Sequence, residues 1–168
     1  LTALQINLNE DTGGDPRRPS VLIPHGHYRD WFAEFPRPAA TRGQIGYAGL
    51  IRRYKGVESL LSVFRALPDP PGGPALTLRV GGKPSTRELA ATMRELSAGD
   101  PRVRLDLTFL SEAAFAEILS SSQLVVLPYR FMHNSGGVLA SLSLDRPVLV
   151  PDNEVNQHLA QEVGPGWI

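Results

Sequence analysis

The sequence predicts an α/β fold: a doubly wound parallel sheet in a three-layer α/β/α arrangement, built as a single domain over residues 1–168. Three observations predict it. Short apolar runs alternate with helical stretches of about 10–15 residues, the pattern of successive βαβ units. One run, Leu124–Pro128 (LVVLP), is apolar throughout, as a strand covered on both faces must be. Glycine-rich or polar stretches follow the strands, at the carboxyl ends where such sheets hold ligands.

Taken in order, Leu1–Leu8 is apolar and fits strand or helix equally. Asn9–Ser20 (NEDTGGDPRRPS) is polar and rich in breakers, so residues 1–20 read as a leading linker. Val21–Pro24 (VLIP) reads as a short buried strand that Pro24 ends. Phe35–Gln44 is a second connection, and IGYAGL, from Ile45, is a strand. A helix follows over about 55–67, because Val57, Leu60, Leu61 and Phe64 recur at i, i+3, i+4 and i+7. Pro68–Pro74 (PDPPGGP) ends it. Ala75–Val80 is the next strand, closed by Gly81 and Gly82. Leu89, Met93 and Leu96 stripe a helix over about 85–98, with Ser85 or Thr86 as its cap. Val103–Leu107 alternates as a strand, and a helix starts near Ser111 carrying Phe115, Ile118 and Leu119. After Leu124–Pro128, a helix begins near Ser135, Pro147–Pro151 is a buried strand, and Asn153–Val163 is a closing helix.

Bulk composition removes several function classes. Seventeen basic and seventeen acidic residues cancel, which argues against a nucleic-acid partner. With no cysteine there is no disulfide framework and no thiolate metal site, which fits a cytoplasmic protein. No apolar run approaches the roughly 20 residues of a membrane span. The chain does not begin with methionine and shows no signal peptide, so it reads as a fragment of a longer parent.

Four stretches fall at strand ends. In GLIRRYKG (Gly49–Gly56), Arg52 and Lys55 stand at the expected start of the first helix. Free backbone N–H groups and the positive end of the helix dipole lie there too. An arginine fork and a mobile ammonium suit a diphosphate. The competing reading is a solvated basic turn. YRFMHNSGG (Tyr129–Gly137) makes a second offer: Ser135 can cap, and Gly136 and Gly137 let a ligand approach the backbone. VGGKP, with Gly81 and Gly82, reads as a phosphate nest or, more simply, a tight turn. In PHGHY, the pair His25 and His27 around Gly26 is poorly spaced for zinc, with no cysteine or carboxylate cluster nearby. No metal site is therefore expected, and His25 is either a hydrogen-bonding neighbour of the ligand or structural. No G-x-S-x-G elbow and no carboxylate pair mark a hydrolase.

These stretches, in this order, resemble the donor-binding half of the retaining GT-B-fold glycosyltransferases of the "glycosyl transferases group 1" family. VLIPHG resembles the strand and turn entering that domain. GYAGLIRRYKG resembles F-x-G-x-I-R-x-Y-K-G, LTLRVGGKP resembles the V-G-x-x-P strand and turn, SSSQLVVLPYR resembles A-D-V-V-V-L-P-Y, and SGGVLASLSLDRPVLVPD resembles S-G-x4-A-x5-P-V-x3-D. The likeness runs from about residue 21 to 163. It implies two Rossmann-like domains in the parent. This C-terminal one would hold a UDP- or GDP-sugar, and a separate N-terminal domain would hold the acceptor.

By that resemblance, Arg52 and Lys55 bind the donor diphosphate and stabilise the leaving group, while Arg53 faces solvent or the other domain. Gly136 and Gly137 bring backbone N–H groups to the donor, residues Thr108–Leu110 contact the base, and His25, Gly26, Gly81, Gly82, Tyr129 and Ser135 line the site. No cofactor or metal is implied. The resemblance implies a cytoplasmic enzyme of glycan biosynthesis, with peripheral association at the inner face of the membrane left open. One departure stands out: the family's E-x7-E glutamates would fall at Met132 and Ala140, and neither is acidic. That departure keeps an alternative open, a non-catalytic nucleotide- or partner-binding module on a degenerate glycosyltransferase fold. A response-regulator or flavodoxin-like domain fits the basic strand ends poorly.

Overall fold

The computed structural model describes residues 4–8, 15–132 and 135–168. Two short strands, β1 (Gln5–Asn7) and β2 (Ser20–Leu22), pair in parallel apart from the main sheet. The main sheet has five strands: β3 (Thr41–Ala48), β4 (Thr77–Gly81), β5 (Val103–Asp106), β6 (Ser122–Val126) and β7 (Val148–Leu149). They lie in the order β5-β4-β3-β6-β7, and every pairing is parallel. Among the described residues six helices accompany them: α1 (Arg29–Phe32), α2 (Val57–Ala66), α3 (Arg87–Ser97), α4 (Glu112–Ser121), α5 (Gly136–Ser143) and α6 (Glu154–Val163). The parallel α/β architecture read from the sequence is the one observed.

The order decides where a ligand can sit. From β3 the chain moves outward through β4 and β5, then returns to place β6 on the opposite side of β3. The connections therefore diverge between the carboxyl ends of β3 and β6, the switch point at which such sheets open a crevice.

The core forms for the reasons the periodicities give. Val57, Leu61 and Phe64 turn one face of α2 onto the sheet, and Leu89 and Met93 do the same for α3. Each such side chain contributes roughly 1.5–3 kcal/mol on burial. On α4, the approach is closer. A Cβ added at Gly81 would collide with Ile118 of α4, so that glycine lets helix and sheet touch, and one at Gly46 would collide with the Ser122 side chain at the start of β6. Two of the caps read from the sequence form: Thr86 accepts from the Leu89 amide (3.1 Å) and Ser111 from that of Ala114 (3.2 Å); Asn153 also caps its helix, accepting from the Asn156 amide (2.9 Å). Thr86→Ala should therefore cost about 1 kcal/mol in a denaturant titration, and nucleotide binding should be untouched, since this cap lies outside the cleft described below.

Several expectations are corrected. The Val21–Pro24 run does form a strand, but not a buried one: Val21 is 40% and Leu22 42% exposed, because β2 pairs only with β1. Within the segment read as linker, Gln5–Asn7 is that partner strand. The connection read over 35–44 ends early, since β3 already begins at Thr41. Gly43 (φ 80°) and a break in the β3–β6 register disguise this, and the Gln123 side chain takes the Gly43 amide at 2.6 Å. The strand read over Pro147–Pro151 shrinks to β7, an edge on which Leu149 stays exposed. Helix α1 was not anticipated. Finally, the first long helix starts at Val57, not near Lys55, and a separate 3-10 turn over Arg53–Lys55 precedes it.

The last correction has a physical cause. Gly56 sits between the two elements in the left-handed conformation (φ 68°), and a Cβ there would run into the Pro128 carbonyl. The turn after β3 is thereby pressed against the turn after β6. The Arg130 amide donates to the Tyr54 carbonyl (2.7 Å) across the junction.

Candidate functional site

The switch point carries a cationic side chain on an aromatic platform. The 3-10 turn brings Lys55 over Tyr129, with Nζ 4.8 Å from the ring centroid. Tyr54 meets the same ring edge-on, at 6.3 Å between centroids. A Cβ at Gly49 would lie 3.9 Å from Nζ, so the ammonium also overlooks the end of β3. Burial, then the nearby Arg52 charge, push the Lys55 pKa below the ordinary lysine value. A cation disfavoured in this way is one that an arriving anion stabilises.

Tyr129 and Tyr47 are both buried, which pushes both phenols up. Ser135 was read as the side-chain cap of α5, but it makes no capping hydrogen bond. Its side chain instead bonds Tyr129. The amides at the start of α5 are thus left without that partner beside Gly136 and Gly137. A Cβ at Gly136 would stand 2.9 Å from the Tyr28 hydroxyl and 3.8 Å from His25 Nε2, and the same Nε2 is 3.3 Å from that hydroxyl. His25 therefore reaches the start of α5 through Tyr28. Its Nδ1 lies 2.9 Å from the Gly26 carbonyl.

Beside this group opens a cleft of about 540 Å³. Its floor is Gly49, Leu50, Gly82 and Lys83, at the ends of β3 and β4. One wall is the start of α4 with the residues before it, Phe109 to Glu112 and Phe115. The other is Gly136 and Ala140 of α5, with Tyr28 and Trp31 alongside. Gly82 is required here: it holds φ 146° with its Cα against the Gly49 carbonyl.

The structure thus sorts the sequence candidates. Gly82, Leu110 and Gly136 line the cleft. Lys55, Tyr129, Ser135, Gly137 and His25 gather at its edge. Arg52 is exposed and close enough to act on Lys55 electrostatically. Arg53 turns away to Glu58 (3.3 Å). Gly81 is a packing position under Ile118, Gly26 faces open space, and Thr108 bonds Asp106 (2.7 Å) outside the cleft lining. Met132, one of the two positions where the family carries glutamate, is in the core, where its carbonyl accepts from Asn153 (3.0 Å). Ala140, the other, faces the cleft. His133, which opens the HNSGG stretch, lies outside the described residues, as do residues 1–3 and 9–14. Among the described residues no group of three His, Asp or Glu side chains stands close enough to hold a metal ion.

Sequence reasoning missed Tyr28, Trp31 and Glu112, whereas Phe109 falls within the Thr108–Leu110 stretch that the resemblance assigns to the base and Lys83 within the VGGKP turn. One signal was available: Tyr28, Trp31, Phe32 and Phe35 recur at i, i+3, i+4 and i+7, an aromatic helical stripe. It folds as α1, with Trp31 stacked on Phe32 at 5.4 Å and Phe32 on Phe115 at 6.3 Å.

Comparison with known proteins gives this geometry a setting. No family model matches the chain. Over all 168 residues it is 45% identical to the GDP-mannose:glycolipid 4-beta-D-mannosyltransferase of Xanthomonas campestris pv. campestris, and it spans 47% of that relative's length. Among solved structures, a sucrose-phosphate synthase from Thermosynechococcus elongatus matches 79% of the chain and 35% of its own (TM-score 0.58, 18% identity). The GtfA/B complex matches 92% of the chain and 31% of its own (TM-score 0.65, 17% identity). S. aureus TarM matches 83% and 27% (TM-score 0.61, 16% identity). At such identities the solved structures speak for the fold, and the mannosyltransferases for the kinship. The chain thus has the parallel α/β fold of these glycosyltransferases and, along its whole length, sequence similarity to the mannosyltransferases.

Proposed function

We propose that the protein transfers mannose from GDP-mannose to a glycolipid, and that this chain is the part that holds the donor. The observation that carries the donor role is Lys55, a partly desolvated ammonium at the switch point, near the start of α5. The identity of the donor rests on the mannosyltransferase relatives. The diphosphate lies between Lys55, Arg52 and the amides at Gly136 and Gly137. As the sugar leaves, negative charge grows on that diphosphate, and the two cations offset it without reorganising. They take the place of a metal ion, so a chelator should leave the rate of transfer unchanged.

We assign the acceptor to the part of the protein beyond this chain, which spans about half the length of its curated relatives. A glycolipid acceptor places the reaction at a membrane surface, on the cytoplasmic side where GDP-sugars are supplied. Among the described residues no helix is long and apolar enough to cross a membrane.

The stereochemical course follows from the linkage. Retention is what the family resemblance implies. The relatives, however, are named for a β linkage, and an α-linked mannosyl donor that gives a β-linked product has inverted at its anomeric carbon. We therefore propose inversion, in keeping with non-acidic residues at Met132 and Ala140. Incubating the full-length protein, acceptor-binding part included, with GDP-mannose and a glycolipid acceptor, and reading the anomeric NMR coupling of the product, tests the reading. A β-mannoside is expected, an α-mannoside contradicts inversion, and no transfer favours the non-catalytic alternative.

A further inference from the structure

The cleft wall carries one carboxylate. Of the side chains lining it, Lys83 is a cation, Tyr28 and Ser111 are hydroxyls, and Glu112 alone is acidic. Its Oε2 accepts from Trp31 Nε1 at 3.0 Å, a contact between residues 81 positions apart. That bond uses one of the roughly four lone-pair sites of a carboxylate and fixes its orientation. Among the described residues no other hydrogen bond to this carboxylate is seen, and Glu112 lines the cleft.

We propose that Glu112 reads the base of the bound nucleotide and selects guanine. This rests on the donor reading above: with the diphosphate at Lys55 and the start of α5, the base extends over Gly49 and Gly82 toward the α4 wall. Guanine presents N1–H and the exocyclic 2-amino group side by side, and a carboxylate accepts from both. Adenine offers an acceptor at N1. Uracil flanks its single N3–H with two carbonyl oxygens, which a carboxylate repels. Glu112 is exposed in the free protein; once a base covers it, an acceptor facing another acceptor loses its hydrogen bond without compensation, which is how a polar wall rejects the wrong base. Aromatic surface for stacking is at hand: Phe109 is 76% exposed and Trp31 45%, and both line the cleft.

A simpler role is available to a carboxylate in the first turn of a helix, namely favourable interaction with the helix dipole. That role affects stability alike with every ligand and has no dependence on the base. The two are separated by measuring dissociation constants for GDP, inosine diphosphate (which lacks only the 2-amino group) and UDP. The wild-type protein, Glu112→Ala and Trp31→Phe are compared calorimetrically. Wild type is expected to favour GDP over inosine diphosphate by roughly tenfold to a hundredfold, the worth of one hydrogen bond to a charged acceptor. Glu112→Ala should bring that ratio close to one while UDP affinity rises, because the carboxylate that repels uracil is gone, and Trp31→Phe should reduce the ratio in part. A ratio unaltered in Glu112→Ala, with GDP still bound, overturns the guanine assignment alone. Failure of wild type to bind any of the three diphosphates overturns the donor reading and the assignment together.

Discussion

Lys55→Ala should lower mannosyl transfer by about 10²–10³-fold, the loss expected when one preorganised charge is removed from a developing anion, with the fold left standing. The stability side is small because two effects oppose. The contact with Tyr129 contributes roughly 0.5–1 kcal/mol. Removing a partly desolvated ammonium beside Arg52 relieves a cost of the opposite sign. A thermal melt of the unliganded variant should therefore lie close to wild type, while GDP no longer raises its melting temperature. Arg52→Ala should act in the same direction and less strongly, since Arg52 is exposed and more screened.

The lowered Lys55 pKa gives this site a pH signature. The folded protein disfavours the ammonium, so the unfolded chain binds that proton more tightly. The resulting cost to stability is fully present below the lowered pKa. It disappears as pH rises through the ordinary lysine value, 10.5. Ligand binding runs the other way: the diphosphate needs the ammonium, so GDP affinity falls as pH rises through the lowered pKa. The fall should begin at a lower pH than an ordinary lysine gives and be absent in Lys55→Ala. An unchanged profile in that variant would place the binding charge elsewhere.

Gly82→Ala should be the most destabilising single change near the cleft. Its φ of 146° is a conformation that side chains rarely adopt, and a Cβ would meet the Gly49 carbonyl. Strain and collision together cost roughly 2–5 kcal/mol, or a fall in melting temperature of about 5–15 °C for a chain of this size. The same atoms form the cleft floor, so the nucleotide should bind poorly even well below the new melting point. Gly72→Ala is the control. It too has positive φ (68°), but open space around it, so only the conformational cost of about 1–2 kcal/mol remains. Equal losses for the two would mean that the contact between the β3 and β4 ends is soft.

Much of this fold is legible because its signals are local. Period-3.6 stripes mark α2 and α3, continuous apolar runs mark central strands, and Thr86 and Ser111 announce helix starts through their own side chains. In the basic turn the side chains part, with Arg53 going to Glu58 and Lys55 to Tyr129. What escaped depends on contacts between distant segments. An apolar run such as Val21–Ile23 carries no record of which strand will pair with it or whether a layer will cover it. Gly81 and Gly82 look alike in sequence, yet the first lies under α4 and the second on the cleft floor. Gly56 reads as a turn residue, and only the Pro128 carbonyl shows why the helix cannot start before it. Glu112 reads as a first-turn acid until Trp31 reaches it from another part of the chain.

The central claim is that a nucleoside diphosphate binds at the divergence between β3 and β6, held by Lys55 and Arg52. Calorimetric titration of the protein with GDP measures this directly, with the Arg52→Ala, Lys55→Ala double variant alongside. Saturable one-to-one binding by wild type, absent from a double variant that still melts cooperatively, is the expected result. No heat with wild type at millimolar GDP, or equal binding by both proteins, would contradict it.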